Sequence, residues 1–166
     1  SAASDVYKRQ PQSLAGVGFS AQGKFSGSYY RRKPASHDPN FAWLFDGIEE
    51  DILGDFGLCG FGAAGFELDR VDRRLGSPDN TVILASSENH DDSFVLVPEE
   101  HLTHITNWPG EPVDDLIRAD LAYFETDSGG AVFATGSITF CGSLPINNFD
   151  NNISTLLGNL LERFLR

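Results

Sequence analysis

The chain has 166 residues, a formal net charge of −12, 40% hydrophobic residues and 22% charged residues. That length supports one domain with a core of ordinary size, and the composition is that of a soluble globular chain. The acidic excess argues against nucleic acid or an anionic membrane surface as a partner, and no apolar run is long enough to span a bilayer.

The opening stretch, residues 1–10, has no periodicity and no capping logic, and Lys8 and Arg9 are not followed by an apolar signal core. The sequence contains no methionine. Residues 1–10 are therefore expected to be foreign sequence joined to a truncated reading frame, leaving 11–166 as the domain. The two cysteines, Cys59 and Cys141, make neither a disulfide framework nor a zinc spacing. They read as reduced thiols in a cytoplasmic protein.

Residues 13–19 alternate small and apolar, which suits a strand, and 20–27 reads as loop. Residues 28–34 hold the basic cluster Arg31-Arg32-Lys33, ended by Pro34; these three cations are too few for nucleic acid and are expected to meet acidic groups. The run Phe41 to Phe45 is fully apolar and predicts a buried strand. Gly54, Gly57, Gly60, Gly62 and Gly65 follow, so dense that close backbone approach or positive φ is required. Thr81 to Ser87 is an interior strand that leaves into the polar loop Glu88-Asn89-His90-Asp91-Asp92. Residues 94–97 predict a short strand, and Asp114 to Arg118 a helical turn. Leu121–Thr126 and Ala131–Thr135, joined by Asp127-Ser128-Gly129-Gly130, predict a β-hairpin.

The C-terminal stretch is the most informative. Apolar residues at 153, 156, 157, 160, 161, 164 and 165 form one stripe at helical period, with Asp150 or Asn151 as cap. A buried strand over 131–135, a polar loop and this helix together predict half of an α/β unit, whose ligand end lies at 135–152.

Several strings then carry a resemblance. Ser28-Tyr29-Tyr30-Arg31-Arg32, Asp55-Phe56-Gly57-Leu58, residues 62–70, Leu84-Ala85-Ser86-Ser87-Glu88 with His90, and 136–144 followed by Asp150-Asn151-Asn152 are similar to the C-terminal part of the N,N-dimethylformamidase large (beta) subunit family. The resemblance runs in order from about Pro11 to Arg166. It implies a three-layer α/β sandwich resembling a class I glutamine amidotransferase. It also implies hydrolysis of N-substituted formamides to formate and amine, at an iron held by two tyrosines and a glutamate. The family's subunit is several times longer. The iron ligands are expected in that upstream part, because adjacent Tyr29 and Tyr30 on an extended segment point to opposite faces. The upstream domain, a small subunit and a homo-oligomer are the partners the resemblance implies, with a small amide as substrate.

Two residues are singled out as catalytic. Glu67 stands in the apolar, glycine-flanked Ala64-Gly65-Phe66-Glu67-Leu68, where partial desolvation would raise its pKa toward that of a general base. The plainer alternative is an ion pair with Arg70 along a helix. His90 lies in the strand-end loop, with Glu88 or Asp91 to orient it, against the alternative of a solvated loop histidine. Cys59 nearly matches a nucleophile elbow, but Phe61 stands where that turn needs glycine, so a packing role is expected. His101 and His104 form an H-x-x-H pattern that reads as surface histidines rather than metal ligands. The alternative to a hydrolase is an amidotransferase-like interaction domain that has lost its catalytic triad.

Overall fold

The computed structural model describes residues 11–107 and 112–166, so the expectation for residues 1–10 lies outside the described residues. Seven strands run in the order β1 (Gly18–Arg32), β2 (Ile52–Leu53), β3 (Ala64–Arg70), β4 (Val82–Glu88), β5 (Val95–Leu96), β6 (Asp120–Glu125) and β7 (Ala131–Ala134). Among the described residues, 11–15 are helical, where the reading of 13–19 expected strand, and three further α-helices follow: α1 (Pro98–Asn107), α2 (Phe140–Ser143) and α3 (Asn152–Phe164). The expected mixed α/β class holds. Every strand pairing among the described residues is antiparallel, and the sheet curls into a half-barrel around β1.

β1 is the spine. Its first half pairs with β3 and β5, and its last residues pair with β2 and β4. The register with β3 jumps from Gln22↔Glu67 to Gly27↔Gly65, so residues 23–26 of β1 bulge out opposite the single residue Phe66. Residues 20–27 are thus strand rather than the expected loop, because β3 supplies the pairing that their Gly/Ser composition does not announce.

The hairpin of β6 and β7 forms as expected, in register from Ala122↔Ala134 to Glu125↔Ala131. This corrects the half α/β unit expected at 131–165. The five-residue link 126–130 can join only antiparallel neighbours, whereas parallel strands need a long crossover. β7 is half-buried rather than buried, and it runs on into turns and the short α2.

Helix α3 follows its sequence pattern. Asn151 caps it, its side-chain oxygen accepting from Ser154 N at 2.9 Å. Ile153, Leu156 and Leu160 face the core, while Leu161 and Phe164 on the flank of the stripe are exposed. Asn152 stitches the helix start to β2, accepting from Gly54 N at 3.1 Å and donating to Ile52 O at 3.1 Å.

The run Phe41 to Phe45 is not a strand. Pro39–Phe41 forms a 3-10 turn, entered at Asp38, whose side chain accepts from Asn40 N, and further turns follow. Leu44 and Phe45 still enter the core, since turns bury side chains as well as strands do when a neighbour covers them. Asn159 of α3 provides that cover, donating to Leu44 O at 3.0 Å.

Candidate functional site

The two expected catalytic residues lie on either side of the bulge in β1. Glu67 of β3 pairs with Gln22, just before the bulge. His90 lies beyond it, with its ring 4.5 Å from that of Phe94, whose own ring covers Gly23. Lys24 N also donates to Ser93 Oγ at 3.1 Å, so the 89–94 loop is pinned to the bulge.

Glu67 differs from expectation in two respects. It is on a strand, not a helix, and it is exposed rather than desolvated. It makes no hydrogen bond or ion pair among the described residues. The expected partner Arg70 is three residues away, and an odd separation on a strand sends the two side chains to opposite faces. Arg70 instead turns inward at 1% exposure, its Nη2 bonding Asp72 at 2.9 Å and Glu100 of α1 at 3.0 Å.

Asp69, two residues on, shares the outer face with Glu67. Burial, and then the charge of Glu67, push its carboxyl up to about 6. The polar-apolar-polar alternation Glu67-Leu68-Asp69 is the sequence signal for this carboxylate pair.

His90 is half-buried, and Ser87 orients it. The Ser87 Oγ accepts from Ala119 N at 2.7 Å and lies 2.7 Å from His90 Nε2. The Ser87 oxygen has two lone pairs, so with one engaged by Ala119 the hydroxyl can donate to Nε2 or accept from it, and it holds the ring in place in either case. Nδ1 is buried with no hydrogen-bond partner among the described residues. Burial, only partly opposed by Asp91, therefore lowers the imidazole to about 4, so His90 is neutral near neutral pH. The acids expected to orient it are engaged elsewhere. Glu88 accepts from Arg31 Nε at 2.6 Å and from Tyr29 at 3.1 Å, and Asp91 accepts from Ser93 N at 2.8 Å.

His90 lines an open cavity of about 470 Å³ with Lys33, Ser87, Asp91, Asp114 and Arg118. Beneath it Asp120, fully buried, is held by Arg118 Nε at 3.0 Å, Ser86 at 2.7 Å and Val71 N at 2.9 Å. This network fixes the backbone that holds Ser87. Of the expected residues around it, Arg31 does meet an acid, Glu88, within the domain.

On the other flank of the bulge lies an aromatic ridge that sequence reasoning did not single out. Phe25, Phe61 and Phe66 all have positive φ, at 45°, 65° and 58°. A left-handed backbone costs a non-glycine residue roughly 1–2 kcal/mol. Close packing enforces it here: Gly27 N donates to Gly60 O at 2.8 Å, and a Cβ at Gly62 would lie 2.3 Å from Ser28 O. Phe25 meets Phe66 edge to face at 5.3 Å.

Other expectations resolve simply. Tyr29 and Tyr30 do face apart: Tyr30 is buried with its hydroxyl donating to Thr135 O at 2.7 Å, so the pair does not fit one metal ion. His101 is exposed and His104 buried, and no group of three or more His, Cys, Asp or Glu is placed to hold a metal among the described residues. Cys59 is exposed, not packed as expected, because the 57–62 loop rides on the outside of β1; Cys141 is exposed too, and both thiols are free. Among the described residues, no helix is long and apolar enough to cross a membrane.

Comparison with known proteins gives these features a family. Residues 3–152 match the model of the family described as "N,N-dimethylformamidase beta subunit-like, C-terminal". The N,N-dimethylformamidase beta subunit of Paracoccus aminophilus is 42% identical over 160 residues, covering 95% of this chain and 21% of the relative. The beta subunit from an Alcaligenes species is 41% identical over the same shares. The chain thus spans about a fifth of the length of the curated relatives it matches. On that match the chain belongs to the N,N-dimethylformamidase beta subunit-like C-terminal family.

Proposed function

We propose that this domain works within an amide hydrolase of the N,N-dimethylformamidase kind, cleaving an N-substituted formamide to formate and amine, with Glu67 as proton acceptor. The observation that carries this reading is the outward carboxylate pair. Glu67 is exposed and free of ion pairs, and the neighbouring carboxyl of Asp69 holds its proton up to about pH 6. Two adjacent carboxyl groups can take a proton from attacking water and return one to a leaving amine. His90, neutral at working pH, offers a second proton-handling group across the bulge.

The resemblance implies an iron centre in the whole enzyme, polarising the formyl oxygen. No ligand set for it fits among the described residues, so each proton step assigned to this chain runs through Glu67, Asp69 or His90. The remainder of a large subunit, a small subunit and further copies are the partners in this reading, in the cytoplasm. The amidotransferase-like three-layer sandwich belongs to the same reading. It is supported by the mixed α/β composition and the docking of α3 on the sheet, though not by strand direction.

The test is Glu67→Gln in a full-length subunit carrying this domain. Turnover of N,N-dimethylformamide should be lost while metal content is kept. Unchanged turnover would favour the second reading, a non-catalytic interaction domain. That reading gains from the full access of Glu67 to water in the domain by itself.

A further inference from the structure

We infer that the ridge formed by Phe25, Phe61 and Phe66 beside the β1 bulge is the docking face of this domain, and that its occupant is the rest of a dimethylformamidase-type beta subunit. The inference rests on the reading that the domain works inside such a subunit. The rings of Phe25 and Phe61 are 83% and 85% exposed, and Leu58 of the same loop is 70% exposed. Large apolar side chains gathered at one place on the surface of a strongly acidic chain mark a contact surface rather than a solvated one. The backbones that carry them are themselves in contact, since a Cβ at Gly60 would lie 3.2 Å from Phe25 O. The bulge and left-handed backbones carry these rings on the surface. Strain of that kind, over-determined by its surroundings, gathers where a protein binds or reacts.

The choice of occupant follows from size and position. The matched relatives carry roughly four-fifths of their length outside the matched region, against 21% within it. Phe66 immediately precedes Glu67 on β3, so the ridge lies close along the strand to the proposed proton acceptor. Apolar cover over the ridge would exclude water from this stretch of β3. A second copy of this chain would bury the same rings, but it would bring no substrate centre to Glu67.

Hydroxyl-radical footprinting tests this directly. The protein is compared as the free 166-residue chain and as the C-terminal part of a full-length beta subunit built on the Paracoccus aminophilus relative. Oxidation of Phe25 and Phe61 should be strong in the free chain, independent of its concentration, and lost in the full-length subunit. Equal oxidation in both would overturn the inference, and so would protection in the free chain that grows with concentration, which would mark self-association. Phe25→Asp with Phe61→Asp gives a second readout. The free variant should keep its thermal midpoint, while the full-length variant becomes cleavable by protease at the domain junction; a junction as resistant as in the unsubstituted subunit would count against docking. The outcomes separate from those for catalysis. Protected rings with a fully active Glu67→Gln variant would keep the docking face and remove the proton acceptor.

Discussion

The two ends of β3 treat charge in opposite ways. At its C-terminal end Arg70 is sealed inside, bonded to Asp72 and Glu100, with Asp72 further held by Arg74 at 3.2 Å. Three residues earlier Glu67 stands in water beside strained aromatics. The first arrangement closes a structure: α1 and the turn after β3 cannot move without uncovering a charge. The second leaves a carboxylate without an ion pair among the described residues and the rings of Phe25 and Phe61 open to water, an arrangement that contributes little to folding. What the contrast teaches is that position in the sheet, rather than charge, decides whether an ionic group serves stability or contact.

The largest test of the closed end is Arg70→Ala. It takes from the buried carboxylates of Asp72 and Glu100 the guanidinium they share, and removal of one partner from a buried pair costs about 3–5 kcal/mol. Urea unfolding should show a loss of that size; a loss below 1 kcal/mol would mean the cluster is wet. Gly62→Ala tests the clasp beneath the ridge. Its Cβ would meet Ser28 O at 2.3 Å, and such overpacking costs about 1–3 kcal/mol. If the ridge depends on the clasp, the Phe25–Phe66 ring contact should loosen as well, seen as sharper aromatic NMR lines. Asn151→Ala removes the cap of α3 and should cost about 1 kcal/mol, measured by thermal unfolding.

Proton linkage sharpens the comparison further, with opposite signs on the two sides of the bulge. The raised carboxyl of Asp69 favours the folded state below about pH 4, and that contribution is lost as pH rises through 6. Asp69→Asn should therefore stabilise the protein above pH 6 and make little difference below pH 4. The lowered imidazole of His90 contributes stability above about 6.5 that is lost as pH falls toward 4. His90→Gln should flatten the acid limb of the stability profile, and an unchanged limb would mean the ring is hydrated. The smallest expected effect on stability is that of Glu67→Gln, within about 0.5 kcal/mol, as for any exposed side chain without partners. A large change would place Glu67 in the folding machinery after all.

How much of this could be read from residues alone depended on period. Helix α3, strand β4 and the β6–β7 hairpin were legible because a long apolar stripe, a β-rich run and a four-residue polar turn each admit one reading. The glycines at 60 and 62 announced close approach, and the coordinates bear that out. Phe41 to Phe45 misled because five apolar residues fit a strand or a buried turn equally well. Residues 64–70 misled more seriously. Glu67 and Arg70 sit at helical spacing, so an ion pair looked natural, whereas strand alternation separates them and pairs Glu67 with Asp69 instead. Ser87 as the group that orients His90 had no signal in sequence, since it depends on Ala119, just before β6 and 32 residues away.

The four residues that β1 spends opposite Phe66 loosen the link between length and pairing in this domain. Downstream of them, Tyr29 to Arg32 keep their partners on β4 whatever the count inside the loop-out. Insertions or deletions there are thus absorbed locally, without turning the spine's inner face outward. Descendants of this chain can lengthen, shorten or redecorate that outcrop, and so change what it recognises, while inheriting the same interior.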